Sequence, residues 1–162
     1  MEPTGEPTPY GAAAPALRSD RAEVIALWRS CGLVVPHNPP EHDFDFALGR
    51  DNSDVLVARL ADRIGGTVMV GHDGHRGWVY YIAVDPAHRR EGFGADLVST
   101  AETWLRDRGV RNIQLMVRNS NQGVLEFYRR IGYEPSPAVV TQRWLNVDDS
   151  QGSSGRSCPV DT

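Results

Sequence analysis

The run Val84-Asp85-Pro86-Ala87-His88-Arg89-Arg90-Glu91-Gly92-Phe93-Gly94 carries more chemical potential than any other stretch of the chain. An apolar strand stops at Pro86, a polar loop turns, and a helix starts with Gly92 and Gly94 in its first turn. The start of a helix holds backbone N–H groups without intrahelical acceptors, together with the positive end of the dipole, so it attracts phosphate oxygens. Glycines there let the anion approach the backbone without a side chain in the way. Arg89 and Arg90 add positive charge beside it. Taken alone, the run supports an anion-binding turn, and an ordinary strand-to-helix turn with a solvated arginine pair reads the same. It is not a dinucleotide fingerprint, which needs a third glycine and a distal acid; Ala95, Asp96 and Leu97 follow the second glycine here.

The elements that must position this loop follow from periodicity and punctuation. A short strand is expected at 14–18. Ser19 or Asp20 then caps a helix with Val24, Leu27, Trp28 and Cys31 at helical spacing, ended by Gly32. A proline-rich loop holding His37 and Asn38 leads to a short acidic helix at 41–50, with Phe44 and Leu48 inward. Two β-rich runs, 54–60 and 64–70, join as a hairpin through Ala61, Asp62 and Arg63. After a turn at 72–77, the apolar run 78–84 suits a central strand buried on both faces. Helices are expected at 92–108 and 121–130, each followed by a glycine, Gly109 and Gly132. A strand at 112–118 separates them, and a last one falls at 139–145. The order is mixed α+β.

Composition narrows the classes. At 162 residues the chain has room for one core. Residues 1–13 and 146–162 read as disordered tails around one domain at 14–145. The hydrophobic share of 40% and charged share of 23% are those of a globular protein. No apolar run of about 18 residues offers a membrane span. The first residues have neither a basic start nor an apolar stretch, so they do not read as a secretory signal and a cytoplasmic protein is expected. A net charge of −4 and a pI of about 5.7 argue against a nucleic-acid surface. Every basic residue is an arginine, which excludes a catalytic lysine or a Walker-type loop. Cys31 and Cys158 make neither a disulfide framework nor a metal site, and no metal is expected.

With these pieces in place the chain resembles the GNAT superfamily of N-acetyltransferases. That family's signature is Arg or Gln, two residues, Gly, one residue, then Gly or Ala; Arg89, Gly92 and Gly94 match it, after a strand and a Val-x-Pro exit at Val84 and Pro86. A second motif is matched by Asn121, Phe127, Tyr128, Gly132 and Tyr133. Within the superfamily the chain is most similar to the small bacterial YpeA-type acetyltransferases. The shared residues are Trp28, Cys31, Leu33, Pro36, Asn38 and Pro40, then Gly66 to Met69 and Asp73 to Gly77. It departs from them at the tails and at Phe93, where a smaller aliphatic is common. The resemblance runs from about residue 14 to 145.

The resemblance implies an α+β fold, a central mixed but mostly antiparallel twisted sheet of about six to seven strands with about four helices. It also implies that the sheet splays between its fourth and fifth strands. Acetyl-coenzyme A would be the cosubstrate, its pantetheine arm pairing with the edge of Ile82, Ala83 and Val84 as an added strand would. Its pyrophosphate would sit on Arg89, Arg90, Glu91, Gly92, Phe93, Gly94 and Ala95, with Asn121, Phe127 and Tyr128 also on the cofactor side. A backbone N–H of Ile82 or Val84 would stabilise the oxyanion. A primary amine would attack the thioester directly in a ternary complex, without an acyl-enzyme. Tyr128 is the candidate acid for the leaving thiolate, and a core tyrosine is its plain alternative. Asp73, His75, Tyr81 and Glu126 are conceivable bases, although Asp73 and His75 equally suit a simple turn. Trp28, Asn38, Asp43 and His37 fall where such folds build the acceptor pocket, and Glu41, Asp43 and Asp45 would suit a cationic amine as readily as they suit a solvated helix. Homodimers are frequent among such folds. The rival readings are a non-catalytic acyl-coenzyme A-binding regulatory module and, against the glycine spacing, a nucleotide-binding domain.

Overall fold

A computed structural model describes residues 10–145; residues 1–9 and 146–162, most of the two expected tails, lie outside it. The described residues fall into two compact units, one up to Met116 and one from Val117.

The first unit is built on one five-stranded sheet in sequence order. Its strands are β1 (Ala14–Pro15), β2 (Ser53–Leu60), β3 (Arg63–His72), β4 (Gly77–Val84) and β5 (Ile113–Gln114). The first three pairings are antiparallel, and β4 with β5 is parallel. The expected six to seven strands come to five among the described residues, in a sheet that is mixed through its one parallel pairing. β2 and β3 turn through Ala61 and Asp62, with Ala61 in the left-handed region at φ 53°. The helices are α1 (Arg21–Ser30), α2 (Pro40–Ala47) and α3 (Phe93–Arg106).

Period-two alternation sorts the strand residues to two faces. Leu56, Ala58, Val68, Val70 and Val79 pack under Phe93, Leu97, Ala101, Trp104 and Leu105 of α3. Val55, Val57, Ile64 and Ala83 pack under Val24, Leu27 and Trp28 of α1 and Phe44 of α2. β4 is not buried along its whole length: Tyr80 is 38% exposed, because helices cover one sheet position and not the next. The expected strand at 112–118 shrinks to β5, since Ile113 and Leu115 keep their alternation into the core while ladder pairing stops. Alternation reports burial, and pairing needs a neighbour at the right distance.

α1 is entered through a 3-10 turn, Arg18–Asp20. The Asp20 carboxylate accepts from Leu17 N–H at 2.8 Å and from Arg59 Nη2 at 2.8 Å through both oxygens. Burial alone would raise its pKa, but the Arg59 bond, the Leu17 N–H and the Arg59 charge together hold it below the ordinary carboxylate value. Its folded pKa is thus lower than the unfolded one, so its stabilisation is complete above about pH 4 and is lost as pH falls through the folded value. Asp20→Asn is expected to cost about 2 kcal/mol at pH 7, and the difference from wild type should narrow below pH 3 in urea titrations.

The second unit holds one described helix, α4 (Gln122–Arg130). Asn121 caps it, its Oδ1 accepting from Val124 N–H at 3.3 Å. Gly132, at φ 95°, follows its end. The expected last strand at 139–145 is absent: those residues carry no strand, and Val139 and Leu145 are 86% and 88% exposed. Branched and aromatic residues favour a strand only where a partner supplies the ladder.

Candidate active site

β4 is irregular where it approaches the loop. Thr67 pairs with Ala83 and Met69 with Tyr80, so Val68 faces two residues, Tyr81 and Ile82. This is a β-bulge, and Tyr81 takes φ 50°, rare for a bulky side chain. The bulge shifts the alternation by one. Val79 faces the α3 side before it, and Ile82 and Val84 face that side after it, leaving Tyr81 and Ala83 toward α1.

A strained backbone of this kind costs roughly 1–3 kcal/mol and persists where its surroundings over-determine it. Here they do. The Thr67 hydroxyl donates to the Tyr81 carbonyl at 3.2 Å and accepts from Trp28 Nε1–H at 2.9 Å. The Trp28 indole stacks on the Tyr81 ring, centroids 4.1 Å apart. The Tyr81 hydroxyl donates to Asp43 Oδ2 at 2.7 Å. Burial, then the Asp43 bond and charge, push the Tyr81 phenol well above its ordinary pKa, so it stays protonated at neutral pH. Trp28 is wholly buried, so it meets whatever lies beside β4 through Tyr81. Of the three acids on α2, Glu41 pairs with Arg29 at 3.4 Å and Asp45 with Arg21 at 3.6 Å. Asp43 alone of the three turns to Tyr81.

Ladder pairing with β5 covers only Gly77 and Trp78. From Val79 to Val84 the edge of β4 away from β3 has no paired strand among the described residues. An extended chain with amide groups can add to such an edge.

Beyond Val84 the loop is organised by its own backbone. Asp85 N–H donates to Gly65 C=O at 2.8 Å, and Asp85 Oδ1 accepts from Ala87 N–H at 3.0 Å. Arg90 and Gly92 are left-handed, at φ 67° and 83°. α3 begins at Phe93, so the N–H groups of Phe93, Gly94 and Ala95 precede its first internal bond. Among the described residues no acceptor takes the N–H groups from Arg90 to Ala95. Arg89, Arg90, Glu91 and Gly92 are exposed. The donor set, two arginines and a cluster of open N–H groups at a helix start, suits a diphosphate.

Phe93 is buried and, with the exposed Glu91, ties this loop to Tyr10. Phe93 is buried against two glycines: a Cβ on Gly66 would come within 2.8 Å of its ring. Tyr10 stacks on its other side, centroids 3.7 Å apart and nearly parallel. The Tyr10 hydroxyl donates to Glu91 Oε2, and His88 Nδ1 lies 3.5 Å from the same oxygen. Burial, then the Glu91 bond, push the Tyr10 phenol up to about 12. Sequence reasoning missed Tyr10, Thr67 and the bulge. The adjacent Gly65 and Gly66 opposite an aromatic at Phe93 were the one available signal for the packing.

Asp73 Oδ1 accepts from His75 N–H at 2.8 Å and Arg76 N–H at 2.7 Å, and these backbone bonds hold its pKa down to about 2. Asp73 and His75 thus shape the turn into the Gly77 end of β4, whereas the loop leaves from the Val84 end. At about 3.3 Å per residue the two ends lie roughly 20 Å apart, so the structure does not bring this pair to the loop. Asn38 closes a turn, its N–H donating to Val35 C=O at 3.1 Å. Cys31 Sγ lies 3.3 Å from the Val84 carbonyl. In the second unit Tyr128 is 8% exposed, its ring edge-on to Phe127 and Tyr133, and burial raises its pKa. Among the described residues no helix is long and apolar enough to cross a membrane.

Residues 21–133 match the acetyltransferase (GNAT) family. An acetyltransferase of Yersinia enterocolitica is 40% identical over 131 residues, 81% of this chain and 93% of its own length. One of Sodalis glossinidius is 41% identical over 132 residues, covering 82% and 93%. Among solved structures, AAC(6')-Iy in complex with the bisubstrate analogue CoA-S-monomethyl-acetylneamine shares the fold with a TM-score of 0.71 at 16% identity, over 84% of this chain and 98% of that one. A phosphate-ready loop at the exit of a bulged, open-edged strand, read with these likenesses, makes the chain a member of the GNAT family, an acetyltransferase whose cosubstrate is acetyl-coenzyme A.

Proposed function

We propose that the protein transfers the acetyl group of acetyl-coenzyme A to a primary amine, by direct attack in a ternary complex. The observation that carries this is the pairing of an anion-ready loop at Arg90 to Ala95 with the unpaired β4 edge from Val79 to Val84. The diphosphate lies on the loop and the pantetheine amides bond along the edge. The thioester carbonyl meets a backbone N–H of the bulged segment, Ile82 in this reading. The cationic amine is received by Asp43, the acid of α2 not engaged by an arginine, with the Tyr81 hydroxyl bonded to it. An amine with a pKa of about 10.4 loses a proton to water before it attacks. The nitrogen–carbon bond then forms, the carbon–sulfur bond breaks, Tyr128 supplies the proton to the leaving thiolate, and the proton shed by the new amide nitrogen passes through water to restore the phenol. Tyr128 holds that role on the motif it shares with Asn121 and Phe127, and its raised pKa keeps the phenol protonated and able to donate.

The test is thiol release from acetyl-coenzyme A over a panel of polyamines, aminoglycosides, peptide N-termini and lysine peptides. Acceptor-dependent release with intersecting initial-rate lines is expected. Parallel lines would indicate an acyl-enzyme. Tight binding with no release to any amine would leave a coenzyme-binding module instead.

A further inference from the structure

Among the described residues Thr67 is the one wholly buried polar side chain on the α1 face of the sheet with bonds to two other elements, and neither the family signature nor the loop accounts for it. Its oxygen joins Trp28 of α1 to the Tyr81 carbonyl of the bulge. The Tyr81 carbonyl and the Ile82 N–H belong to one planar peptide unit, and no peptide bond here is cis. In a trans unit the C=O and N–H point in opposite directions. A hydroxyl that fixes the Tyr81 carbonyl toward β3 therefore fixes the Ile82 N–H away from β3, toward the open edge of β4. A bulge alone would leave this peptide plane free to rotate, because the ladder that normally sets it is interrupted between Thr67 and Met69.

We propose that Thr67 is a positioning residue for acetyl transfer: through the Tyr81 carbonyl it sets the direction of the Ile82 N–H that stabilises the thioester oxyanion. The Trp28 N–H has a part in this. By occupying one lone pair of the Thr67 oxygen, it leaves the hydroxyl proton to point at Tyr81. The inference rests on the function proposed above and is tested so that the two can fail separately.

Thr67→Val keeps the side-chain volume and removes the hydroxyl, while Thr67→Ser keeps the hydroxyl. Thr67→Val should lower kcat about tenfold or more, since losing an oxyanion donor outright costs about 100- to 1000-fold. The KM for acetyl-coenzyme A should change less than about threefold. Thr67→Ser should recover most of the loss. Should the valine variant fold poorly, Thr67→Cys, with a weak donor of similar size, takes its place. A readout independent of any acceptor is the Ile82 amide resonance. Its shift on adding acetyl-coenzyme A should shrink by more than half in Thr67→Val. A wild-type kcat and an unchanged Ile82 shift in a folded hydroxyl-free variant would overturn the positioning role, as would serine and valine variants equally impaired. Absence of turnover in the wild type with every amine would instead sink the proposed function, and the Ile82 shift would still decide the role of Thr67.

Discussion

Gly92→Glu is expected to weaken coenzyme A binding by at least about 100-fold, measured by calorimetric titration, while the protein stays folded. Gly92 sits at φ 83°, exposed, one residue before α3. No heavy atom lies within 4 Å of a Cβ placed there, so the side chain meets open space. The left-handed backbone adds about 1–2 kcal/mol of strain for any residue other than glycine. The larger effect is electrostatic: a carboxylate on a short tether occupies the place of a phosphate and cancels the field of the helix start. Gly92→Ala separates the two causes. It carries the same strain without the charge, and its loss of affinity should be about tenfold or less. Unchanged affinity in the glutamate variant would remove the loop from the site.

Tyr128→Phe is the second large expectation. Proton donation by a positioned side chain contributes about 100- to 10,000-fold, so kcat should fall by at least about 100-fold. The dissociation constant of coenzyme A should stay within about threefold, since the ring is kept. The pH profile gives an independent check. A phenol must be protonated to donate, so the rate falls only as pH rises through its pKa. Burial places that pKa above the ordinary value of about 10, so no alkaline loss from this group should appear below about pH 10. A wild-type rate in the phenylalanine variant would take the acid role away from Tyr128.

What could be read without coordinates was local and chemically marked. Pro86 stops a strand, and Gly92 and Gly94 leave a helix start bare. Gly32, Gly109 and Gly132 each adopt positive φ after α1, α3 and α4, so helix ends fell within a few residues of expectation. The features that were not legible depend on residues far apart in the chain. The bulge in β4 hides inside an apolar run whose phase cannot be seen until β3 is laid beside it. Thr67, Trp28 and Tyr81 meet only in the folded sheet, across separations of 39 and 14 residues. Tyr10 sits among Pro, Gly, Thr and Ala, a composition that suggests a tail, yet it is 6% exposed and stacked on Phe93. The overlong strand at 112–118 and the absent one at 139–145 have one cause. Side-chain type reports what a strand would bury, and says nothing of whether a partner strand lies alongside.

The chemistry was legible in the same uneven way. Arg89 to Ala95 suggested an anion-binding helix start by their types, and an ordinary strand-to-helix turn read the same. Asp43 did not stand out from Glu41 and Asp45 until two of the three were found paired with arginines. Asp73 and His75 suited a base or a turn equally, and in the structure the Asp73 carboxylate bonds the backbone of the turn into the Gly77 end of β4.

The most direct test of the central claim is the crystal structure of the protein with coenzyme A bound. The diphosphate should lie against the N–H groups of Arg90 to Ala95, and the pantetheine amides should bond along the Ile82 to Val84 edge of β4. A coenzyme seated elsewhere, with that loop and edge untouched, would contradict it.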